Sequence, residues 1–217
     1  MATKAKTITA DTIVKMYMDY VLENEKVPKT VYKFCKVNDI KESDFYLHFG
    51  SITAVQKGIW ESFFNNSVTV MKKNKEYQDF SNQDKMLTFF YTFFEVLTLN
   101  RSYVLFVMEH AQNPMKKMEQ LKGLRKNIKG FAKDLIKAGN DDKNYQITKH
   151  NPQLFSEGAW LQFLFLLNFW KSDDSAGFEK TDMAIEKSVK TIFDLFDNTP
   201  LENIIDFGKF LYKESFA

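Results

Sequence analysis

The chain has 217 residues, 44% of them hydrophobic, which is enough for one or two folded domains and excludes a disordered chain. A formal net charge of +2 is too small to indicate a polyanion partner by itself, so any basic surface must be local. The single cysteine excludes an internal disulfide, and a polar N-terminus without an apolar run predicts a cytoplasmic protein.

Apolar residues recur at spacings of three and four almost throughout, and glycine and proline are few. This pattern predicts an all-α protein with no strand. In chain order, we expect helices over residues 9–24, a short pair within 30–49, and then helices over 51–76, 81–97, 100–112, 114–138, 152–171, 177–197 and 201–215. Gly139 is expected to stop the helix that begins at Pro114, and residues 140–151 are expected to form a loop.

The segment from Thr30 to Phe49 predicts a helix-turn-helix. Val31, Phe34 and Cys35 recur at helical spacing, and a turn falls at Asn38-Asp39. Phe45 and Phe49 then lie four residues apart, on the inner face of a second short helix. A helix of this kind is narrow enough to enter the major groove of DNA.

Residues 30–55 resemble the N-terminal domain of the TetR family of transcriptional regulators. The family pattern of a Ser/Thr-Val-x-x-Ile-Ala core, a turn and an aromatic box aligns without a gap. Phe34-Cys35 stands at Ile-Ala, Phe45-Tyr46-Leu47-His48-Phe49 at the aromatic box, and Ser51 at the next helix cap. The resemblance implies a TetR-like fold: a helix-turn-helix DNA-binding head over residues 1–50, and a helical ligand-binding and dimerisation domain over residues 51–217.

The resemblance also implies double-stranded operator DNA as a partner. Cations and hydrogen-bonding groups on the motif would bind phosphates, and Ser43 is the neutral residue expected at a base edge. The expected DNA-binding residues are Lys29, Thr30, Lys33, Lys36, Lys41, Ser43, Tyr46 and His48.

Several positions depart from the family pattern. Asp39 replaces the turn glycine, and Glu42, Asp44, Leu47 and Ile52 occupy positions that are commonly basic, polar or aromatic. Residues 29–50 contain four lysines and three carboxylates, which gives a net charge of +1. These departures leave open an alternative, a TetR-fold protein that binds lipid or another hydrophobic ligand and has lost DNA binding. Peripheral membrane contact belongs to that alternative alone.

An aromatic face on the helix from Met86 to Leu97 is the expected ligand site, together with a few polar groups. Pockets for small molecules are typically apolar with few oriented polar groups, so the effector would be apolar or lipid-like. The same stripe could instead be filled core. The candidate residues are Phe89, Phe90, Phe93, Phe94, Phe106, Glu109, His110, Trp160 and Phe163.

The run from Ala159 to Trp170 is apolar all round except for Gln162 and Asn168. Such a helix must be covered on both sides, either within one bundle or by a second subunit. The resemblance favours the second subunit, so we expect a homodimer formed through the helices Pro152–Lys171 and Gly177 to Asp197.

Residues 114–138 form a basic amphipathic helix, with eight cations against two carboxylates. This pattern indicates a solvated face, or else a surface that contacts an anionic membrane.

Catalytic patterns are absent from the sequence. The three histidines are far apart, the lone cysteine has no acid or histidine partner in a motif, and no phosphate-binding glycine pattern occurs. We therefore expect neither an enzyme nor a cofactor or metal.

Overall fold

The structure, a computed structural model, describes residues 8–110, 118–141, 151–198 and 209–210; of residues 110, 141, 197 and 198 it describes the backbone alone. Within these ranges the protein is all-α and has no strand, as the sequence predicts. The described α-helices of at least five residues are α1 (Ala10–Asn24), α2 (Val31–Val37), α3 (Glu42–Tyr46), α4 (Ile52–Met71), α5 (Asn82–Leu99), α6 (Arg101–His110), α7 (Lys122–Asp141), α8 (Pro152–Lys171) and α9 (Glu179–Asn198). Single 3-10 turns occupy Lys75–Asp79 and Ala176–Phe178.

The starts of α1 and α8 agree with the sequence prediction because both have strong caps. The Thr9 hydroxyl accepts a hydrogen bond from the Thr12 N–H at 3.1 Å, and α1 follows. The Asn151 side chain accepts from the N–H groups of Gln153 and Leu154 at 2.9 and 3.1 Å. Pro152 then takes the first helical position, where its missing N–H is harmless.

Three predicted helix boundaries are wrong. Helix α4 ends at Met71, not near residue 76. Residues 118–120 are helical and a turn follows at Leu121; helix α7 then continues through Gly139, the predicted stop, to Asp141. A glycine inside a helix costs only about 1 kcal/mol, which packing can offset, and a Cβ at this site would lie 2.2 Å from Asn82 Nδ2.

The third difference concerns the start of α9. Gly177 has a φ of 62°, in the left-handed region, so the helix predicted from Gly177 begins at Glu179 instead. The predicted start at Pro114, the end of the helix expected over 100–112, most of the loop over 140–151 and most of the helix over 201–215 lie outside the described residues.

The chain divides into two compact units, neither continuous in sequence. Unit 1 comprises residues 1–63 and 97–124, and unit 2 comprises residues 64–96 and 125–217. The functional division at residue 50 expected from the family resemblance stays a prediction. None of the described helices is both long enough and apolar enough to cross a bilayer.

Each unit has its own apolar core. We call the described residues 8–50, which belong to unit 1, the head. The core of the head contains Ile13, Tyr17, Val21, Phe34, Cys35 and Phe45, all at most 2% exposed. In unit 2 the core is rich in aromatic rings from α5 and α8. Burial of such side chains is the main stabilising contribution in both units, about 1.5 to 3 kcal/mol for each large one.

A buried carboxylate fixes the turn between α8 and α9. Asp173 is 6% exposed, and its Oδ1 accepts hydrogen bonds from the Ser175 N–H and hydroxyl at 2.9 and 2.6 Å. Its Oδ2 accepts from the Thr181 N–H and hydroxyl at 2.9 and 2.6 Å. Burial alone would raise the pKa of Asp173, but these four bonds outweigh it and hold the pKa well below its usual range.

Replacing Asp173 by Asn should destabilise the fold by about 2 kcal/mol, because one amide oxygen cannot replace both carboxylate oxygens as acceptor. The folded-state pKa is depressed, so this contribution is fully present above the unfolded-state pKa of about 4 and declines as pH falls towards the folded-state pKa. Denaturant unfolding at pH 7 and pH 3 should therefore show a large difference between wild type and Asp173→Asn that narrows in acid. Asp174→Asn, at a neighbouring carboxylate whose side chain is 91% exposed, is the control. An equal loss in both variants would contradict the assignment.

Candidate functional sites

The helix-turn-helix is held by a cap, a left-handed turn residue and stacked rings. The Thr30 hydroxyl accepts from the Lys33 N–H at 3.2 Å and starts α2. Asp39 has a φ of 51°, a conformation that aspartate tolerates better than most residues, so the turn predicted at Asn38-Asp39 is confirmed. Phe45 of α3 is fully buried, with its ring 5.9 Å from that of Phe34.

The outer face of α3 carries no charged side chain. Ser43, Tyr46 and Leu47 lie at positions i, i+3 and i+4 and are all exposed, opposite the buried Phe45. Glu42 and Asp44, by contrast, are half-buried. The two carboxylates therefore lie beside the exposed face and not at its centre.

The four lysines predicted to bind phosphates, Lys29, Lys33, Lys36 and Lys41, are all exposed. Lys36 Nζ lies 6.0 Å from the centroid of the exposed Tyr32 ring, at the limit of a cation–π contact. Lys41 is the residue immediately before α3. The head thus has four exposed cations, which lie on α2, just before α2 and just before α3.

Two other predicted DNA-binding residues already have partners inside the head. Thr30 caps α2, as described above. The His48 ring is exposed, but its Nε2 lies 2.9 Å from the carbonyl oxygen of Ile8, to which it donates a hydrogen bond. These bonds fix the ends of the motif, and DNA contact by any of the eight residues stays a prediction.

Six of the predicted ligand residues form one aromatic cluster in unit 2. Phe89, Phe90 and Phe93 are fully buried, and Phe94, Trp160 and Phe163 are at most 3% exposed. The Phe93 ring centroid is 5.6 Å from those of both Phe89 and Phe163. Rings at these separations pack against one another as core side chains do.

The other predicted ligand residues belong to unit 1. Phe106 is half-buried and Glu109 is exposed. The side chain of His110 lies outside the described residues. A ligand role for any of the nine residues stays a prediction.

Unit 1 contains buried polar atoms with no hydrogen-bond partner within the described part of the chain: Trp60 Nε1, Tyr103 OH and Gln120 Oε1. The Tyr103 ring packs edge-on against Tyr17, 6.3 Å between centroids, and the Tyr17 hydroxyl accepts a hydrogen bond from Gln56 at 2.8 Å. Burial raises the pKa of Tyr17 to about 12 and holds the pKa of Tyr103 well above its usual value, so both phenols stay protonated. An unpaired buried polar group costs about 1 to 3 kcal/mol, so a hydrogen bond to any of these atoms would be favourable.

The Trp60 and Tyr103 atoms were not among the sequence-predicted site residues. Their lack of partners depends on tertiary packing, which the spacing of apolar residues does not encode. No pattern in the sequence would have found them.

A groove of about 540 Å³ runs along one side of α8 and α9 in unit 2. Phe165 and Phe169 of α8 are 45% and 37% exposed there, and Met183 of α9 is 51% exposed. The walls are apolar, with polar groups at the edges; the lining residues are Gln162, Phe165, Phe169, Lys180, Met183, Ala184, Lys187, Ser188, Thr191 and Ile192. The groove lies on the two helices through which the sequence predicts the dimer.

The described residues offer no group of three or more His, Cys, Asp or Glu side chains that could bind a metal ion. Cys35 is 2% exposed in the head core. Burial raises the pKa of its thiol, and the nearby Glu42 and Asp44 carboxylates raise it further.

Comparison with known proteins identifies the class to which this fold belongs. A family profile described as the tetracyclin repressor-like C-terminal domain matches residues 85–211, more than half of the chain. The protein therefore belongs to the tetracyclin repressor-like, or TetR, family, as the resemblance of its N-terminal residues implied.

A solved structure supports the same fold. A Syntrophomonas wolfei protein assigned to the TetR family of transcriptional regulators superposes with a TM-score of 0.63 at 15% sequence identity. The match covers 88% of this chain and 96% of that one. None of the curated protein sequences matches this chain at a significant level.

Proposed function

We propose that this protein is a ligand-responsive, dimeric DNA-binding regulator of transcription. The observation that carries the proposal is the exposed, uncharged outer face of α3, anchored by Phe45, together with four exposed lysines in the same motif. In DNA-binding helix-turn-helix domains the second helix reads base edges in the major groove, and side chains around it hold phosphates. Lys29, Lys33, Lys36 and Lys41 are the phosphate-binding residues in this proposal.

A second copy of the chain is the proposed occupant of the groove along α8 and α9. Exposed Phe165, Phe169 and Met183 form an apolar patch of the kind that marks interaction sites in soluble proteins. Membership of a family whose regulators dimerise favours a twin subunit over another partner. Dimerisation would also place two heads on successive half-sites of an operator.

The effector in this proposal is a small molecule with at least one hydrogen-bond acceptor. Trp60 Nε1 is a donor only, and the protonated Tyr103 hydroxyl is also able to donate, so an acceptor oxygen would satisfy either one. Tyr103 belongs to α6 and its neighbour Tyr17 to α1, so a ligand here would act on a helix of the head. The ligand shifts DNA affinity only if it prefers one arrangement of the head.

One observation favours a second function, a carrier of lipid or another hydrophobic ligand that no longer binds DNA. The motif from residue 29 to 50 has a net charge of only +1, although non-specific DNA affinity comes largely from cations that neutralise phosphates. The exposed Leu47 and the half-buried Glu42 and Asp44 add no attraction for a phosphate. Duplex binding at low salt separates the two functions.

Wild-type protein should bind random-sequence duplex DNA at 50 mM salt and bind more weakly as salt rises. Lys41→Ala should weaken binding and make the salt slope shallower by about one unit, because one phosphate contact is lost. The double change Glu42→Gln, Asp44→Asn should strengthen binding by removing repulsion. Lys126→Ala, which removes an exposed lysine of α7, is the charge-matched control and should change neither the DNA affinity nor the salt slope. Absence of duplex binding by wild type would contradict the proposed DNA-binding regulator and favour the second function, a carrier of a hydrophobic ligand.

Light scattering of wild-type protein at micromolar concentration should give twice the chain mass of 25.5 kDa. Phe169→Glu should give monomer or aggregate, since a charge would be desolvated at the interface. Val70→Glu changes an apolar side chain of similar exposure on α4, outside the groove, and should remain dimeric. A monomeric wild type, or equal dissociation of both variants, would show that the groove is not the interface.

Native mass spectrometry of protein purified from cells should show added mass from a retained small molecule. Tyr103→Phe should reduce that mass with little change in stability, because the hydroxyl it removes has no hydrogen-bond partner among the described residues. Phe93→Ala should instead lower stability by about 3 to 5 kcal/mol, the usual cost of removing a packed core ring.

A bare chain mass for wild type would contradict the effector proposal and leave water as the partner of Tyr103. A mild effect of Phe93→Ala together with loss of the added mass would place the effector among the aromatic residues that the sequence predicts.

A further inference from the structure

Leu47 is an exposed apolar residue that is not part of the core of the head. It is 79% exposed, more than any other large hydrophobic side chain in the described part of the head. At this exposure it contributes little burial to folding. It also shares the outer face of α3 with Ser43 and Tyr46, the face that would meet a base edge.

The backbone of Leu47 is held more firmly than its exposure suggests. Its N–H bonds to the Ser43 carbonyl at 3.2 Å, and its φ and ψ of −65° and −23° continue the helical turn. The residues on both sides are anchored: Phe45 packs against Phe34 and Phe49 at 5.9 and 6.2 Å between centroids, and His48 bonds to Ile8. The side chain therefore projects from a fixed point.

The chemistry of a leucine side chain restricts what it can recognise in a major groove. It neither donates nor accepts a hydrogen bond, so purine N7, O6 and N6 groups and cytosine N4 give it no favourable contact. The C5-methyl group of thymine is the apolar group that a base edge presents there. Leucine and thymine are thus complementary, while the other bases leave polar groups facing an apolar side chain.

We propose that Leu47 is a specificity-determining residue that selects thymine in each operator half-site by contact with its methyl group. The inference rests on the proposed DNA binding and adds the base that α3 prefers. Ser43, which bonds equally well to several bases, would add little discrimination, and the half-buried Glu42 and Asp44 lie beside the face.

The test uses full-length protein and a duplex enriched by selection from a random library. Each enriched thymine is then replaced by uracil, which pairs identically but lacks only the methyl group. Loss of one buried methyl contact corresponds to about fourfold weaker binding. Wild type should lose about that factor at one position per half-site, and Leu47→Ala should bind thymine and uracil duplexes equally. Val37→Ala removes another exposed apolar side chain of the head, 67% exposed on α2, and should keep the wild-type response.

The outcomes distinguish a failure of the thymine contact from a failure of the proposed DNA binding on which it rests. If wild type binds random duplex but loses less than twofold on every uracil replacement, the thymine contact is wrong and DNA binding stands. If Leu47→Ala keeps the full uracil penalty, another residue reads the methyl group and the inference fails. If wild type binds no duplex at low salt, both the thymine contact and the proposed DNA binding fail.

Discussion

The burial of Phe45 against Phe34 is the contact on which the head depends. Helix α3 has only five residues, far fewer than an isolated helix needs to be stable in water, so its conformation comes from tertiary packing. Phe45 has no exposed surface and meets rings on both sides of the turn. With that side chain fixed inward, the orientation of Ser43, Tyr46 and Leu47 follows from helical geometry alone.

Unit 1 combines the head with a later part of the chain. Residues 97–124, which include α6, belong to the same compact unit as α1, α2 and α3, and Tyr103 of α6 contacts Tyr17 of α1. Helix α6 therefore packs directly against a helix of the head. Trp60 and Tyr103, whose buried polar atoms have no partner within the described ranges, lie in this unit, whereas the aromatic cluster of α5 and α8 lies in unit 2.

Much of the fold could be predicted from the sequence because helical spacing and caps act locally. The Asn151 cap and Pro152 fixed the start of α8. Of the apolar positions named in the helix-turn-helix, Phe34, Cys35 and Phe45 are buried, while Val31 and Phe49 are half-buried. The helix end predicted at Gly139 is wrong because α5, whose Asn82 lies next to this glycine, packs against it and favours the helical conformation. The candidate sites were less accessible for the same reason: the partial burial of Glu42 and Asp44, and the close packing of Phe93, are properties of tertiary contacts.

The buried thiol of Cys35 gives this protein an internal reporter. Thiol reagents attack the thiolate, and burial together with two nearby carboxylates keeps this group protonated and out of reach in the folded head. It is the sole cysteine of the chain, so every labelling event has one origin. The rate of that labelling therefore measures how often α2 separates from the rest of the head, a local opening that a global unfolding curve averages away.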